Sequence, residues 1–400
     1  MQNISYFCIV KHLRKDFCTF LGIILMILPL KAAAQDSLLT NAMDSVEVSL
    51  LTCSPHEEIY SLYGHTALRW HDLRTQEDLA FNWGVFNFKK PYFVLRFVFG
   101  LTDYELGAVP MKYFMEEYRQ VGSSVTEQIL NLTAEEKRNL YLALVKNLQP
   151  ENRIYRYNYF YDNCSTRPRD MIEQSVNGEV KYTEREGFTP SYRDMVRICT
   201  RNHPWATFGN DILLGVRADL ATDRRQQEFL PDHLLYDFDR AQIYANGDYR
   251  PLVKERRTIV PAGVQVIEPD FLFTPMECAY ALLVISLIII AIEWRKKKTF
   301  RLWDTLLMVA QGLVGLVLFV MLFSQHPTTS TNLQLLLFNP LPFFFLPAVI
   351  RGRATRWWIL QAALFTLFMI GSLFQNYAEG MIIVALCLLL RSAIHFKLKA

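Results

Sequence analysis

The sequence predicts an α+β domain exported across a membrane, followed by an all-α transmembrane domain of five helices. Three observations predict it: an export signal at the start, strand and helix patterning over 36–270, and five apolar spans after Phe271. The hydrophobic content of 51% is too high for one ordinary soluble domain, and the excess falls in the second half. The net charge of +3 is unremarkable, and no basic tract suggests a nucleic-acid partner.

Lys11, Arg14 and Lys15 precede the apolar run 17–30, which is shorter than the ~20 residues a membrane crossing needs. Ala32-Ala33-Ala34 before Gln35 is a small-residue cleavage pattern. Residues 1–34 therefore read as a signal peptide, with an uncleaved anchor as the alternative. Either way the next domain, 35–270, is exported.

Within that domain Val46-Glu47-Val48-Ser49-Leu50 and Thr66-Ala67-Leu68-Arg69-Trp70 alternate with period two and read as strands. Leu79-Ala80-Phe81-Asn82-Trp83, closed by Gly84, is a third. Thr133 followed by acidic residues opens a helix over 132–148, with leucines at helical spacing. Residues 258–269 have strand-like character. His71 and Asp72 look like a hairpin turn.

The domain 271–400 holds apolar spans at about 275–294, 303–323, 333–350, 357–374 and 380–394. Arg295-Lys296-Lys297-Lys298, Arg351/Arg353/Arg356 and Lys397/Lys399 fall on one side; 324–332 and 375–379 carry no lysine or arginine. The positive-inside rule makes the basic side cytoplasmic, which places the first domain outside and the C-terminus inside. This agrees with the export signal.

Of seven cysteines, Cys8 and Cys18 belong to the signal and Cys278 and Cys387 to apolar runs. Three remain: Cys53, Cys164 and Cys199. An odd number in an oxidising compartment leaves at least one free thiol. A Cys53–Cys199 bridge would leave Cys164 free, but the sequence does not prove that pairing.

Two motifs carry chemistry. Ser61-Leu62-Tyr63-Gly64-His65-Thr66 leads into a strand and sets His65 where its ring can face a cleft. Tyr161-Asp162-Asn163-Cys164-Ser165-Thr166-Arg167-Pro168 combines capping residues with a first-turn proline. With the regular helix starting near Thr166, Cys164 lies on the leading turn, where unpaired N–H groups and nearby arginines favour thiolate. Each alone has a bland reading, a core histidine and a buried or bridged cysteine. Together they form a base and a nucleophile that need a third group to orient the ring. Asn82 is the expected one and His71 the runner-up. His56, His203 and His233 show no ligand spacing, and HExxH and CxxC are absent, so neither a metal site nor a cofactor is expected.

The order Gly64-His65 on a strand, a polar residue on the following strand and Asn163-Cys164 opening a helix resembles the circularly permuted papain-like acyltransferases of the LRAT type. The exported domain more closely resembles that of the Lnb lipoprotein N-acyltransferases, in Leu51-Thr52-Cys53, 60–69, Asn82-Trp83-Gly84-Val85-Phe86, 161–170 and Phe229-Leu230-Pro231-Asp232. The membrane half fits as well, through His326-Pro327, Asn332 and Asn339-Pro340.

The resemblance implies a permuted papain-like fold and transfer of an acyl chain from a phospholipid, through a Cys164 thioester, to the α-amino group of a diacylglyceryl-cysteine lipoprotein. It implies a multi-pass protein of the bacterial inner membrane with its catalytic domain in the periplasm. Cys164, His65 and Asn82 are the expected catalytic residues. Tyr63, Asn163, Arg167, His326 and Asn332 are the expected substrate contacts. Residues 92–99 are apolar enough to dip toward the bilayer. Arg167 and Arg169 either meet a phosphate head group or pair with Asp170 and Glu173. The rival readings are a papain-like peptidoglycan or peptide hydrolase and a non-enzymatic membrane scaffold.

Overall fold

The computed structural model describes residues 40, 42–85, 91–92, 95–96, 99–265, 271–353 and 355–397. The expected signal peptide, half of the apolar stretch 92–99 and Lys399 lie outside them.

Seven strands form one antiparallel sheet: β1 (Val46–Cys53), β2 (His65–Asp72), β3 (Glu77–Val85), β4 (Asp103–Pro110), β5 (Val125–Leu130), β6 (Ile154–Arg156) and β10 (Val253–Val260), in the order β10-β5-β1-β2-β3-β4-β6. Between β6 and β10 in sequence, β7 (Glu179–Lys181), β8 (Gln242–Ala245) and β9 (Asp248–Pro251) make a separate three-stranded sheet. The three expected strands are present; of the expected strand-like stretch 258–269, the described part 258–265 is strand as far as Val260, and 266–269 lie outside the described residues. His71 lies within β2 rather than in a turn; the turn is formed by 73–76.

The period-two alternation divides the sheet into two buried faces. Val46, Val48, Leu50, Leu68, Trp70, Phe81 and Trp83 face one side. Three helices cover it: α2 (Ala134–Leu148), α3 (Thr166–Ser175) and α7 (Pro231–Arg240), through Leu140, Leu144, Ile172, Leu234 and Phe238. Leu51, Cys53, Ala67 and Ala80 face the other side, under Met111, Phe114 and Tyr118 of α1 (Met111–Gln120). Helix α2 starts where Thr133 predicts, in a capping box: its hydroxyl accepts from Glu136 N–H and the Glu136 carboxylate accepts from Thr133 N–H at 2.8 Å. Helices α4 (Tyr192–Thr200), α5 (Pro204–Leu213) and the short α6 (Arg224–Gln227) lead from α3 toward the membrane half.

That half contains α8 (Pro275–Lys296), α9 (Arg301–Met321), α10 (Leu341–Ile350), α11 (Thr355–Gly371) and α12 (Met381–Lys397). Among the described residues three helical stretches are long and apolar enough to cross a membrane: Pro275–Lys296, Arg301–Met321 and Leu333–Ile350. The third is a 3-10 turn, Leu333–Leu336, joined to α10 across Asn339-Pro340, where proline supplies no N–H and the Asn339 amide oxygen accepts from Leu341 instead. Helices α11 and α12 have 17 residues each, so the expectation of five full spans is met by length in three.

Polar groups knit these helices together. Gln311 donates to Leu337 O at 2.6 Å, Gln361 to Gln311 at 3.1 Å and Ser392 to Gln361 at 3.1 Å. Arg391 on α12 is paired with Glu293 of α8 and Asp304 of α9, and His395 meets Asp304 at 2.9 Å while stacking on Trp358. All four charged or ionisable groups are buried, so each requires the others.

Candidate active site

The turn 159–166 is built by one side chain. Asn163 accepts from the N–H groups of Ser165 and Thr166 at 2.9 and 3.0 Å, and donates to the carbonyls of Tyr159 and Phe229 at 2.9 and 2.8 Å. An asparagine offers both functions at one position, which is why it suits a helix start that must also bind a neighbouring loop. Helix α3 begins at Thr166, and Cys164 stands on its leading turn. The hydroxyls of Thr66 and Ser165, 2.8 Å apart and buried, fasten this turn to the first residues of β2.

His65 opens β2. The preceding Gly64 has φ +73°, and a Cβ there would lie 2.7 Å from the Cys53 carbonyl, so only glycine lets the two chains close at this point. Nε2 of His65 lies 3.1 Å from Oδ1 of Asn82, which sits diagonally across on β3, where Ala67 pairs with Asn82. The other ring nitrogen is left for Cys164, whose thiol is electrostatically coupled to the imidazole. Burial alone would raise the thiol. The His65 charge, its hydrogen bond, the Thr66 N–H and the Ser165 side chain outweigh it and hold Cys164 below the ordinary thiol value. Burial would lower the imidazole, but Cys164 and the bond to Asn82 raise it above its usual value. Both shifts run in the direction of a thiolate–imidazolium pair.

A cavity of about 380 Å³ opens on the imidazole, lined by His65, Asn82, Trp83 and Gly84 and, from the other side, by Phe114, Glu117 and Tyr118 of α1; Cys164 itself is not in the lining. Gly84, at φ +97°, keeps the floor low: a Cβ there would lie 4.0 Å from that of Cys164. His56 and Glu58 also line the cavity. The sequence reading missed Glu117, Tyr118 and Glu58. The spacing Met111, Phe114, Tyr118 is the helical signal that marks α1, and with it the wall that carries Glu117.

The expected catalytic residues come together; the expected substrate contacts do not. Tyr63 does not line the cavity; its hydroxyl accepts from Asn210 at 3.1 Å, and its ring meets Tyr159 edge-on. Asn163 has every polar atom engaged in shaping the turn. Arg167 forms a two-point ion pair with Asp162 at 2.6 and 2.7 Å and lies over the Tyr155 ring, so its partner is neither Asp170 nor Glu173. Arg169 is buried against Glu228 and Asp170. Asn332 is buried and donates to Ile212 O at 2.8 Å. His326 is half-buried in the loop after α9, away from the cavity lining. His71 is excluded as the orienting group because it lies six residues along the strand from His65, roughly 20 Å at ~3.3 Å per residue. The helix-start N–H groups of Ser165 and Thr166 are taken by Asn163.

Cys53, Cys164 and Cys199 are all free thiols, so the pairing left open by the sequence is not made. Burial pushes Cys199 up to about 12 and Cys53 higher still, which makes both inert beside Cys164. Among the described residues no group of three metal-ligating side chains occurs.

Fold and site define a membrane protein that carries a cysteine–histidine–asparagine constellation on an α+β domain outside its helical base. Residues 34–202 match the Lnb N-terminal periplasmic domain, and residues 267–400 match the Lnb transmembrane domain. The chain is thus an Lnb-type protein, with a periplasmic N-terminal domain and a C-terminal transmembrane domain. No curated protein and no solved structure matches it.

Proposed function

We propose that this protein is a lipoprotein N-acyltransferase that carries the acyl group on Cys164. The observation that carries the proposal is the series Cys164–His65–Asn82, a thiol coupled to an imidazole that lies 3.1 Å from the Asn82 amide oxygen, with His65 and Asn82 lining a cavity, on a domain fixed to membrane helices. A soluble wall hydrolase has no use for such a base, whereas an enzyme drawing on phospholipid needs one.

His65 takes the thiol proton, and the Cys164 thiolate attacks an ester carbonyl of a phospholipid. The C–O bond breaks, the alcohol oxygen takes the proton from His65, and a lysophospholipid leaves a thioester behind. The α-amine of a diacylglyceryl-cysteine then attacks the thioester. The amide forms, the thiolate leaves, and His65 collects the amine proton. Asn82 keeps the ring aimed throughout. With the Ser165 and Thr166 amides occupied, the Cys164 N–H is the helix-start donor proposed for the oxyanion.

The rest of the architecture belongs to the same reading. Residues 1–34 are a signal peptide, 35–270 a periplasmic domain of permuted papain-like type, and 271–400 a five-span domain in the inner membrane with a cytoplasmic C-terminus. The permutation rests on chain order, since the strand with His65 precedes the helix behind Cys164. No cofactor is required.

The test is intact-mass analysis of the purified protein after incubation with phospholipid vesicles, then with a diacylated lipopeptide. A fatty-acyl adduct on Cys164 that is discharged to the peptide amine is expected. A peptidyl adduct, or acyl loss only to water, would overturn the reading in favour of a hydrolase.

A further inference from the structure

The three buried carboxamides Asn332, Gln334 and Gln375 all point at one place, the C-terminal end of α5. Asn332 donates to Ile212 O at 2.8 Å, Gln334 to Asp211 O at 2.9 Å and Gln375 to Leu214 O at 3.0 Å. These carbonyls are among the last of a helix, which has no internal donors for them. The opposite ends of the amides are equally committed. Asn332 Oδ1 accepts from Gln334 N–H and from Gln375, Gln375 Oε1 accepts from Leu333 N–H, and Gln334 Oε1 accepts from Ala378 N–H. Just beyond, Gly215 N–H donates to Thr328 O at 2.8 Å and Val216 N–H to Thr331 O at 3.2 Å, a closeness that needs glycine because a Cβ at 215 would lie 2.3 Å from Ser330 O. Phe208 and Ile212 on the same helix pack into the apolar cluster of the membrane base.

Toward the active site, Asn210 of α5 donates to the hydroxyl of Tyr63, two residues before His65. One helix thus touches the membrane loops at its end and, along its side, the turn that leads into the strand with His65. A hinge between two domains would leave some of these groups to water. Here every one is paired and the three carboxamides are buried, so the contact is a rigid joint.

We propose that Asn332, Gln334 and Gln375 are positioning residues that hold the Cys164–His65 site at one fixed place relative to the bilayer. They act on where the site meets a lipid, not on the reactivity of the thiol.

Two measurements on the full-length protein in phospholipid nanodiscs test this. The first is the distance distribution between spin labels on Cys164 and Cys278, the other cysteines being replaced by serine. It does not depend on acyl transfer. The parent should give one narrow distance, and Asn332→Ala and Gln375→Met should broaden it; Gln375→Met keeps the side-chain volume in case Asn332→Ala folds poorly. The second, which rests on the proposed acyltransferase reading, compares Cys164 acylation by nanodisc phospholipid with alkylation by soluble iodoacetamide. Lipid acylation should fall about ten- to hundredfold while alkylation stays unchanged, since a small misplacement penalises only the oriented reaction. An unchanged distance distribution, or a parallel fall in both reactions, overturns the joint. A parent that shows the narrow distance but no lipid adduct overturns the acyltransferase reading and leaves the joint standing.

Discussion

The amide of Asn82 is held in one orientation, its nitrogen donating to Ala80 O at 3.4 Å and its oxygen 3.1 Å from Nε2 of His65. The imidazole must therefore present its other nitrogen to Cys164. Asn82→Ala frees the ring to rotate, and acyl-adduct formation on Cys164 should slow by roughly a hundredfold, at the low end of what a positioned general base contributes. Cys164→Ala should abolish it. Equal rates for Asn82→Ala and the parent in a rapid-quench mass assay would remove Asn82 from the mechanism.

The pH dependence follows from the two opposed shifts. Cys164 is held below its ordinary value and His65 above, so thiolate and imidazolium coexist at pH values below the usual thiol range near ~8.5. Alkylation by iodoacetamide should already be fast there. In His65→Ala the favourable charge and hydrogen bond vanish while burial remains, so the rising limb should move above that range. Overlapping profiles for the two proteins would contradict the ion pair.

Asn163 is a test of which end of an amide matters. Asn163→Ala removes a helix cap and two donors to buried carbonyls, and should lower unfolding free energy by about 2–3 kcal/mol. Asn163→Asp keeps the acceptor for Ser165 and Thr166 but turns a second oxygen on the carbonyls of Tyr159 and Phe229. It should rescue little. Thermal unfolding in detergent checks both, and full recovery in the aspartate variant would contradict the assignment.

Gly64→Ala forces a side chain into a left-handed backbone and against the Cys53 carbonyl. A loss of more than ~1 kcal/mol is expected, with the β2 start displaced and Cys164 alkylation slowed. Unaltered stability and reactivity would mean that the close approach of Gly64 to β1 is not needed.

In the membrane base, Arg391→Met strands two buried carboxylates and should destabilise the protein by roughly 3 kcal/mol or more. Adding Glu293→Gln and Asp304→Asn should restore most of it. Melting curves of the single and triple variants decide, and a triple variant no better than the single one would argue against mutual compensation.

The strands and the helix 132–148 could be read from residues because each depends on local rules, whereas the meeting of His65, Asn82 and Cys164, nearly a hundred residues apart along the chain, is expected from the chemistry of a thiolate–imidazole pair and from the family resemblance. Alternation sets strand faces, Thr133 and Glu136 set a helix start, and Asn163 with Pro168 sets the turn that lifts Cys164. The substrate contacts could not be read this way. Whether Arg167 is available depends on Asp162 curling back to meet it, and whether Asn332 faces solvent depends on a helix more than a hundred residues earlier. A polar side chain in a sequence looks equally ready for a ligand or for a carbonyl. Helix α1, and Glu117 with it, was missed because its three inward residues are few and its mean character is polar.

Strand β10 lies at one edge of the seven-stranded sheet and is the last strand before α8. Until it is in place, β5 has an open flank, a template for pairing with other chains. The periplasmic sheet can be closed only once nearly the whole of that domain has emerged and the first hydrophobic helix is about to arrive. A secreted version truncated before Val253 should therefore aggregate more readily than one that ends after Val260, so completion of the sheet falls just ahead of the arrival of the first membrane helix.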